Sequence, residues 1–216
     1  MDRIQKLCAY LSPCNLFADV GCDHGYCTEY MLKNNLCKSA IISDISEKCL
    51  KKAELLLDPF IKEGRVQSVC CDGLSKISPN IDEVLISGLG GDELIKILSQ
   101  SFIPKTFVFQ PMKNVSGVRE YLINNGCTIT ADDIFYDDKK YYFVICGTRD
   151  KGFEKYTKAQ LLYGKDSLKN KVFLDYLDVE IAKKQSYLNR QMTNEHRQEL
   201  EKDLKFMMGV KSGEIK

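Results

Sequence analysis

The segment Leu16-Phe17-Ala18-Asp19-Val20-Gly21-Cys22-Asp23-His24-Gly25-Tyr26 limits the possible folds of this chain more than any other. Its first five residues form an apolar strand, Gly21 breaks it, and Tyr26–Asn34 has the pattern of a helix. A strand, a tight glycine turn and a helix together open a nucleotide-cofactor domain. Glycine admits positive φ and close backbone approach, and the helix start offers free N–H groups. A pyrophosphate cofactor normally meets Gly-x-Gly-x-x-Gly at this place. Here Asp19 and Asp23 flank the turn instead. Carboxylates repel a pyrophosphate but suit an ammonium, which favours S-adenosyl-L-methionine (AdoMet) over a dinucleotide.

Strands and helices alternate through the next hundred residues. Ala40–Asp44 is a second strand, and Ser46 is placed to cap the helix that carries Leu50, Ala53, Leu56 and Leu57. Arg65–Cys70, Glu83–Ser87 and Thr106–Gln110 are further strands, with helices through Leu98 and over Val115–Asn125 between and after them. An amphipathic helix over Asp2–Leu11 precedes the first strand. Thr128–Phe135 and Tyr141–Cys146 are two strands joined by the polar turn Tyr136–Lys140, too short for a parallel crossover, so they pair antiparallel. The expected class is α/β: a Rossmann-like, seven-stranded AdoMet methyltransferase domain over residues 1–150. Residues 151–216 differ. Phe173, Leu174, Leu177, Ile181 and Leu188 recur at helical spacing, then a turn at Met192–Asn194 leads to Leu200, Leu204 and Met207. This predicts a C-terminal antiparallel helical hairpin, coiled-coil-like, with Thr193 as an N-cap.

Charge divides along the same boundary. Residues 1–150 hold 17 Lys and Arg against 20 Asp and Glu, while residues 151–216 hold 14 against 10. A basic tail on a mildly acidic domain points to a polyanionic partner, or to an ordinary solvated helical surface. All ten cysteines lie within the first 146 residues, many beside apolar runs, as at Cys22, Cys37, Cys70 and Cys146. With neither a Cys-x-x-Cys pair nor zinc-ligand spacing, they are expected to be reduced and to hold no metal. The opening residues lack a signal-peptide pattern and no apolar run is long enough to span a membrane, so a cytoplasmic protein is expected.

Three more motifs follow strand ends. Asp44, with Ile45 beside it, ends the second strand, where an acid can accept both ribose hydroxyl hydrogens. Asp72-Gly73 follows the third and can meet an adenine amino group, and Gly88-Leu89-Gly90 follows the fourth, leaving room for a flat base. Alone, Asp44 reads more readily as a helix cap and Asp72-Gly73 as a common turn. In order along consecutive strands they line one rim of the sheet, where open α/β sheets bind ligands.

These residues resemble the bacterial tRNA (adenine-22-N1)-methyltransferase family over nearly all of residues 3–150. The resemblance rests on Ala18–Tyr26, Cys71–Leu74, Ile86–Gly91, Phe109-Gln110-Pro111, Val118–Gly126 and the closing hairpin around Asp137–Tyr142. The chain departs from the family at Cys22, often Ser, and at Met112, often Asn. The resemblance implies methyl transfer from AdoMet to N1 of an adenine in the D-arm of tRNA. It implies cofactor contacts at Asp19, Gly21, Asp23, Gly25, Tyr26, Asp44, Ile45, Asp72, Gly73, Gly88, Leu89 and Gly90.

Adenine N1 carries an in-plane lone pair, so no base need remove a proton and positioning can carry the reaction. N1 lies on the pairing edge, so the base must turn out of the helix. His24, Gln110 and Tyr26 are the candidates for lining its slot, and Asp23 for stabilising the cation that forms. The alternatives are a structural histidine at a turn, a strand terminus at Gln110-Pro111, and a Tyr26 that packs beneath the cofactor. Lys183, Lys184, Arg190 and Arg197 are expected to meet tRNA phosphates. The competing role for this tail is a solvated surface or a dimer interface through Leu174, Leu177 and Ile181; a monomer is expected, with a dimer as the alternative. Rival functions are an AdoMet enzyme with another RNA base or a small molecule as substrate, and a non-catalytic RNA-binding protein on the same fold.

Overall fold

The computed structural model describes residues 3–150, 152 and 155–215; Asp2, placed above at the start of the first helix, and Lys151, placed at the start of the tail, lie outside them. The sheet is built from β1 (Cys14–Val20), β2 (Cys37–Asp44), β3 (Val66–Cys70), β4 (Glu83–Ser87), β5 (Thr106–Gln110), β6 (Thr128–Asp137) and β7 (Lys140–Thr148). Their order is β3-β2-β1-β4-β5-β7-β6. The first five strands are parallel, and β7 enters antiparallel between β5 and β6.

The helices are α1 (Arg3–Cys8), α2 (Tyr26–Lys33), α3 (Glu47–Lys62), α4 (Gly91–Gln100), α5 (Val115–Asn124), α6 (Lys158–Tyr163), α7 (Lys171–Leu188) and α8 (Asn194–Ser212). Successive strand residues alternate between the two faces, as the period of two requires. Phe17, Leu85 and Val108 join Leu7, Met31 and Leu57 beneath α1, α2 and α3. Ala18, Val20, Val84, Ile86, Phe107 and Phe109 join Leu94, Leu98, Val118 and Leu122 beneath α4 and α5. Both faces are covered, so these short strands are apolar nearly throughout, which explains their legibility.

Several boundaries move. α1 stops at Cys8 rather than Leu11, because Leu11 N already bonds Cys8 O and Ser12 N is taken by the Glu83 carboxylate at 3.0 Å. The five-residue turn expected at Tyr136–Lys140 contracts to Asp138-Lys139, whose φ values of 41° and 61° suit a two-residue hairpin. The strands continue through it because Tyr136 and Tyr141 pair across the ladder with ring centroids 4.8 Å apart. Cys22, Cys37 and Cys146 are buried as expected, whereas Cys70, ending the edge strand β3, is exposed.

The C-terminal residues do not stand apart from the sheet. Ile134 and Phe143 of the closing hairpin share a core with Phe173, Leu177, Ile181, Leu204 and Met207. Lys184 pairs with Asp203 at 2.9 Å, and Lys211 pairs with Asp178. The two pairs run in opposite order along α7 and α8, as antiparallel helices require. Leu177 and Ile181, offered above as a dimer surface, are buried within the chain, and of the three only Leu174 is exposed. Thr193 caps α8 by accepting from His196 N, as its sequence position predicts.

Candidate active site

A cleft of about 560 Å³ opens at the C-terminal ends of β1 to β4. Asp19, Gly21, Asp23, His24, Tyr26, Asp44, Ile45, Asp72, Gly73, Gly88 and Leu89 all line it. The turn after β1 is held against β2: Gly21 N and Cys22 N both donate to Ser43 O, at 2.8 and 3.0 Å. Asp23 N donates to Asp44 Oδ2 at 3.3 Å, and Ser46 N to Asp44 Oδ1 at 2.8 Å. Asp44 therefore joins β2, the turn and the start of α3. Gly21 has φ +72°, and Asp23 takes φ 47° despite its side chain. A non-glycine residue held in the left-handed region stores strain that the surrounding bonds must offset.

Asp19 is buried, and Thr28 Oγ1 of α2 donates to its Oδ2 at 2.9 Å. Burial raises its carboxyl to about 6 even so, because the side-chain and backbone donors of Thr28 only partly replace lost water, and the nearby Asp44 carboxylate adds to the rise. At the mouth, the His24 and Tyr26 rings stack at 5.4 Å, tilted by 10°. His24 Nε2 stands 3.8 Å from Asp23 Oδ2. Ile45, next to Asp44 in the chain, is 71% exposed at the rim, an aliphatic side chain held open to solvent.

Three predicted residues sit elsewhere. Gly25 lies behind the turn, where a Cβ would be 3.1 Å from Ala53 Cβ and from Leu57 Cδ1; it lets α3 pack close. Gly90 caps α4 in an extended conformation. Gln110, fully buried at the end of β5, faces a neighbouring cavity.

Arg3 is the residue that sequence reasoning missed. It lines the cleft from α1, its Nη2 donates to Gln110 Oε1 at 3.3 Å, and its guanidinium lies 5.2 Å from the Tyr142 ring centroid. Its buried Nε has no hydrogen-bond partner. Nothing local to Asp2-Arg3-Ile4 marks it, because its contacts come from residues more than a hundred positions away. Glu93 and Ile97 of α4 also line the cleft and were likewise unmarked.

The four basic residues expected to meet RNA are on the hairpin. Lys183 and Lys184 face Glu180 and Asp203, at 3.5 and 2.9 Å. Arg190 lies over the Tyr187 ring, and Arg197 Nη1 donates to Leu188 O at 3.1 Å, closing the end of α7. Among the described residues no cluster of three or more His, Cys, Asp or Glu could hold a metal ion, and no helix is long and apolar enough to cross a membrane.

Residues 1–145 match the methyltransferase-domain family. The chain is 32% identical over 151 residues to a Mycoplasma pneumoniae protein provisionally named as a tRNA methyltransferase, covering 68% of this chain and 70% of that one. It is 26% identical over 195 residues to the tRNA (adenine(22)-N(1))-methyltransferase of Bacillus subtilis, covering 85% and 82%. Its fold matches that of M. capricolum TrmK, solved with S-adenosyl-homocysteine, with a TM-score of 0.88 at 24% identity over 97% and 96% of the chains. The chain belongs to the methyltransferase-domain family, among the bacterial tRNA methyltransferases.

Proposed function

We infer that the protein transfers a methyl group from AdoMet to N1 of adenine 22 in tRNA. The observation that carries this is the placing of Asp19, Asp44 and Asp72 at or just past the C-terminal ends of three successive strands around one cleft, in a chain related to the B. subtilis enzyme. The lining fits the cofactor. Asp19, Asp23, Asp44, Asp72 and Glu93 give it a negative field suited to a sulfonium and an ammonium, and Arg3 brings one fixed cation. The buried, unpartnered Nε of Arg3 is a donor that the methionine carboxylate would satisfy.

In this arrangement Asp19 holds the ammonium and Arg3 the carboxylate. Asp44 accepts from the ribose hydroxyls, Ile45 covers one face of the adenine ring, and Asp72 accepts from its amino group. Gly21, Gly73, Gly88 and Leu89 shape the floor. Bound AdoMet supplies an electrophilic methyl on sulfur. The chain's part is to bring a lone pair to it: the stacked His24 and Tyr26 rings offer a face for the turned-out base, and Gln110 fixes the wall beside it. Asp23 stabilises the positive charge that methylation leaves on the base. No proton need move before bond formation, so orientation accounts for most of the rate.

The catalytic unit is residues 1–150, with 151–216 as the RNA-holding extension. Lys183, Lys184, Arg190 and Arg197 meet the tRNA backbone by exchanging their internal partners for phosphates. The protein works as a monomer in the cytoplasm, where its tRNA substrate is. Incubation with labelled AdoMet and tRNA transcripts carrying adenine or guanine at position 22 tests the assignment. Label is expected only with adenine, and equal labelling of both overturns it.

A further inference from the structure

A second cavity of about 340 Å³ lies beside the cofactor cleft, across the segment that follows β5. That segment is fastened to the cleft side. Gly88 N donates to Gln110 O at 3.0 Å, Met112 N to Leu89 O at 2.8 Å, and Gly91 N to Lys113 O at 2.9 Å. Gln110 fills the wall: Arg3 reaches its Oε1 from the cofactor side, and its Nε2 donates to Met112 Sδ at 3.3 Å. Gln110 thus stands between the second cavity and the cofactor cleft, with one side-chain atom bonded toward each.

Its other walls come from elements far apart in sequence. Tyr141 of β7 and Tyr176 of α7 meet edge to face, centroids 5.3 Å apart, and Tyr136 extends the aromatic run to the hairpin tip. Met112 and Leu162 place exposed apolar groups at the mouth. Lys113 is exposed there and has no acidic partner among the described residues. Aromatic surface beside a free cation is how proteins hold an unstacked nucleotide: the ring takes the base and the ammonium takes the phosphate. The sequence gives no hint of this platform, since its rings gather only when the closing hairpin packs on α7.

We propose that this cavity receives a nucleotide next to the target adenine in the same tRNA strand, its base against Tyr141 and Tyr176 and its phosphate at Lys113. The inference rests on the tRNA assignment above. Turning one base out of a helix breaks its stacking on its neighbours. A neighbour held across the Gln110 wall keeps the strand open and sets the target base on the cofactor side.

The test uses the full-length protein and tRNA in which the nucleotide on either side of adenine 22 is made abasic in turn. Methyl-transfer kinetics are measured for the wild type, Lys113→Glu and Leu162→Glu. Both positions are exposed and outside the cofactor lining, and unchanged AdoMet affinity reports an intact fold. One abasic substitution is expected to raise the wild-type KM for tRNA about tenfold, and each variant to raise it comparably on intact tRNA. Abasic tRNA with Leu162→Glu is expected to lose little more, because both remove one contact. Losses that multiply, or abasic substitutions without effect, overturn the proposal while leaving the methyltransferase assignment standing. A wild type that methylates no tRNA overturns both.

Discussion

Thr28 Oγ1 donates to the Asp19 carboxylate at 2.9 Å inside the wall of the cofactor cleft, and burial still lifts that carboxyl to about 6. Its ordinary value is 3.8, so between about 4 and 6 the folded state holds a proton that the unfolded chain has lost. The free protein therefore loses stability from this group as pH rises through that window. An ammonium placed against the ionised carboxylate offsets the cost. AdoMet affinity is accordingly expected to weaken as pH falls below about 6, approaching tenfold per pH unit. Asp19→Asn binds weakly at every pH without the slope, and Thr28→Val moves the midpoint upward. Calorimetry from pH 5 to 8 decides the matter; a wild-type affinity flat across that range rules out the ammonium contact.

Arg3 and Gln110 make a second, separable prediction. If the guanidinium holds the methionine carboxylate, Arg3→Ala should weaken AdoMet about tenfold or more, the scale of one charged hydrogen bond. Methylthioadenosine, which lacks the amino-acid moiety, should bind wild type and variant alike. Equal weakening of both ligands would mean that Arg3 acts only by packing on Tyr142 and Gln110.

Three acids of the cleft rim were legible because each lies at or just past the C-terminal end of a short strand, where a turn begins. Asp19, Asp44 and Asp72 announce themselves through strand-then-glycine or strand-then-cap patterns that are local in sequence. Arg3 was not legible, because its partner Gln110 and the ring of Tyr142 reach it only through the sheet. Gly25 is a different case: its place in the glycine turn reads as a cofactor contact, and the space its missing side chain leaves is filled by Ala53 and Leu57 of α3. The two-residue hairpin at Asp138-Lys139 was hidden by five consecutive polar or amphipathic residues, which read as a loop until the Tyr136 and Tyr141 rings pair. The tail's helices were readable from periodicity. That their apolar stripes meet Ile134 and Phe143, and not each other alone, depends on tertiary packing that no spacing encodes.

That packing is secured by a buried ion pair. Arg119 of α5 and Asp132 of β6 are both fully buried, with Arg119 Nε 2.9 Å from Asp132 Oδ1 and Arg119 Nη1 donating to the carbonyls of Leu161 and Leu162. One guanidinium thus ties α5, the closing hairpin and the end of α6. Arg119→Met leaves a buried carboxylate without its counter-charge and two carbonyls without a donor, and is expected to cost about 3–5 kcal/mol. Urea unfolding measures it directly. Replacing both partners, Arg119→Met with Asp132→Leu, should recover much of the loss; a double variant as unstable as the single one would show that the carbonyl bonds, not the ion pair, dominate.

Glu83 begins β4, at the opposite end of that strand from the cleft. It is 2% exposed, its carboxylate receives Ser12 N, and burial raises it from 4.5 to about 7. Across that interval the folded state keeps a proton the unfolded chain releases, so stability from this group falls as pH rises and the full cost is present above about 7. Glu83→Gln keeps an acceptor for Ser12 N and has nothing to ionise. It should match the wild type near pH 4, exceed it by about 1–3 kcal/mol at pH 8, and leave methyl transfer unchanged. Thermal unfolding at the two pH values separates this from the alternative: a variant less stable than wild type at pH 8 would mean that the charge on Glu83 supports the fold.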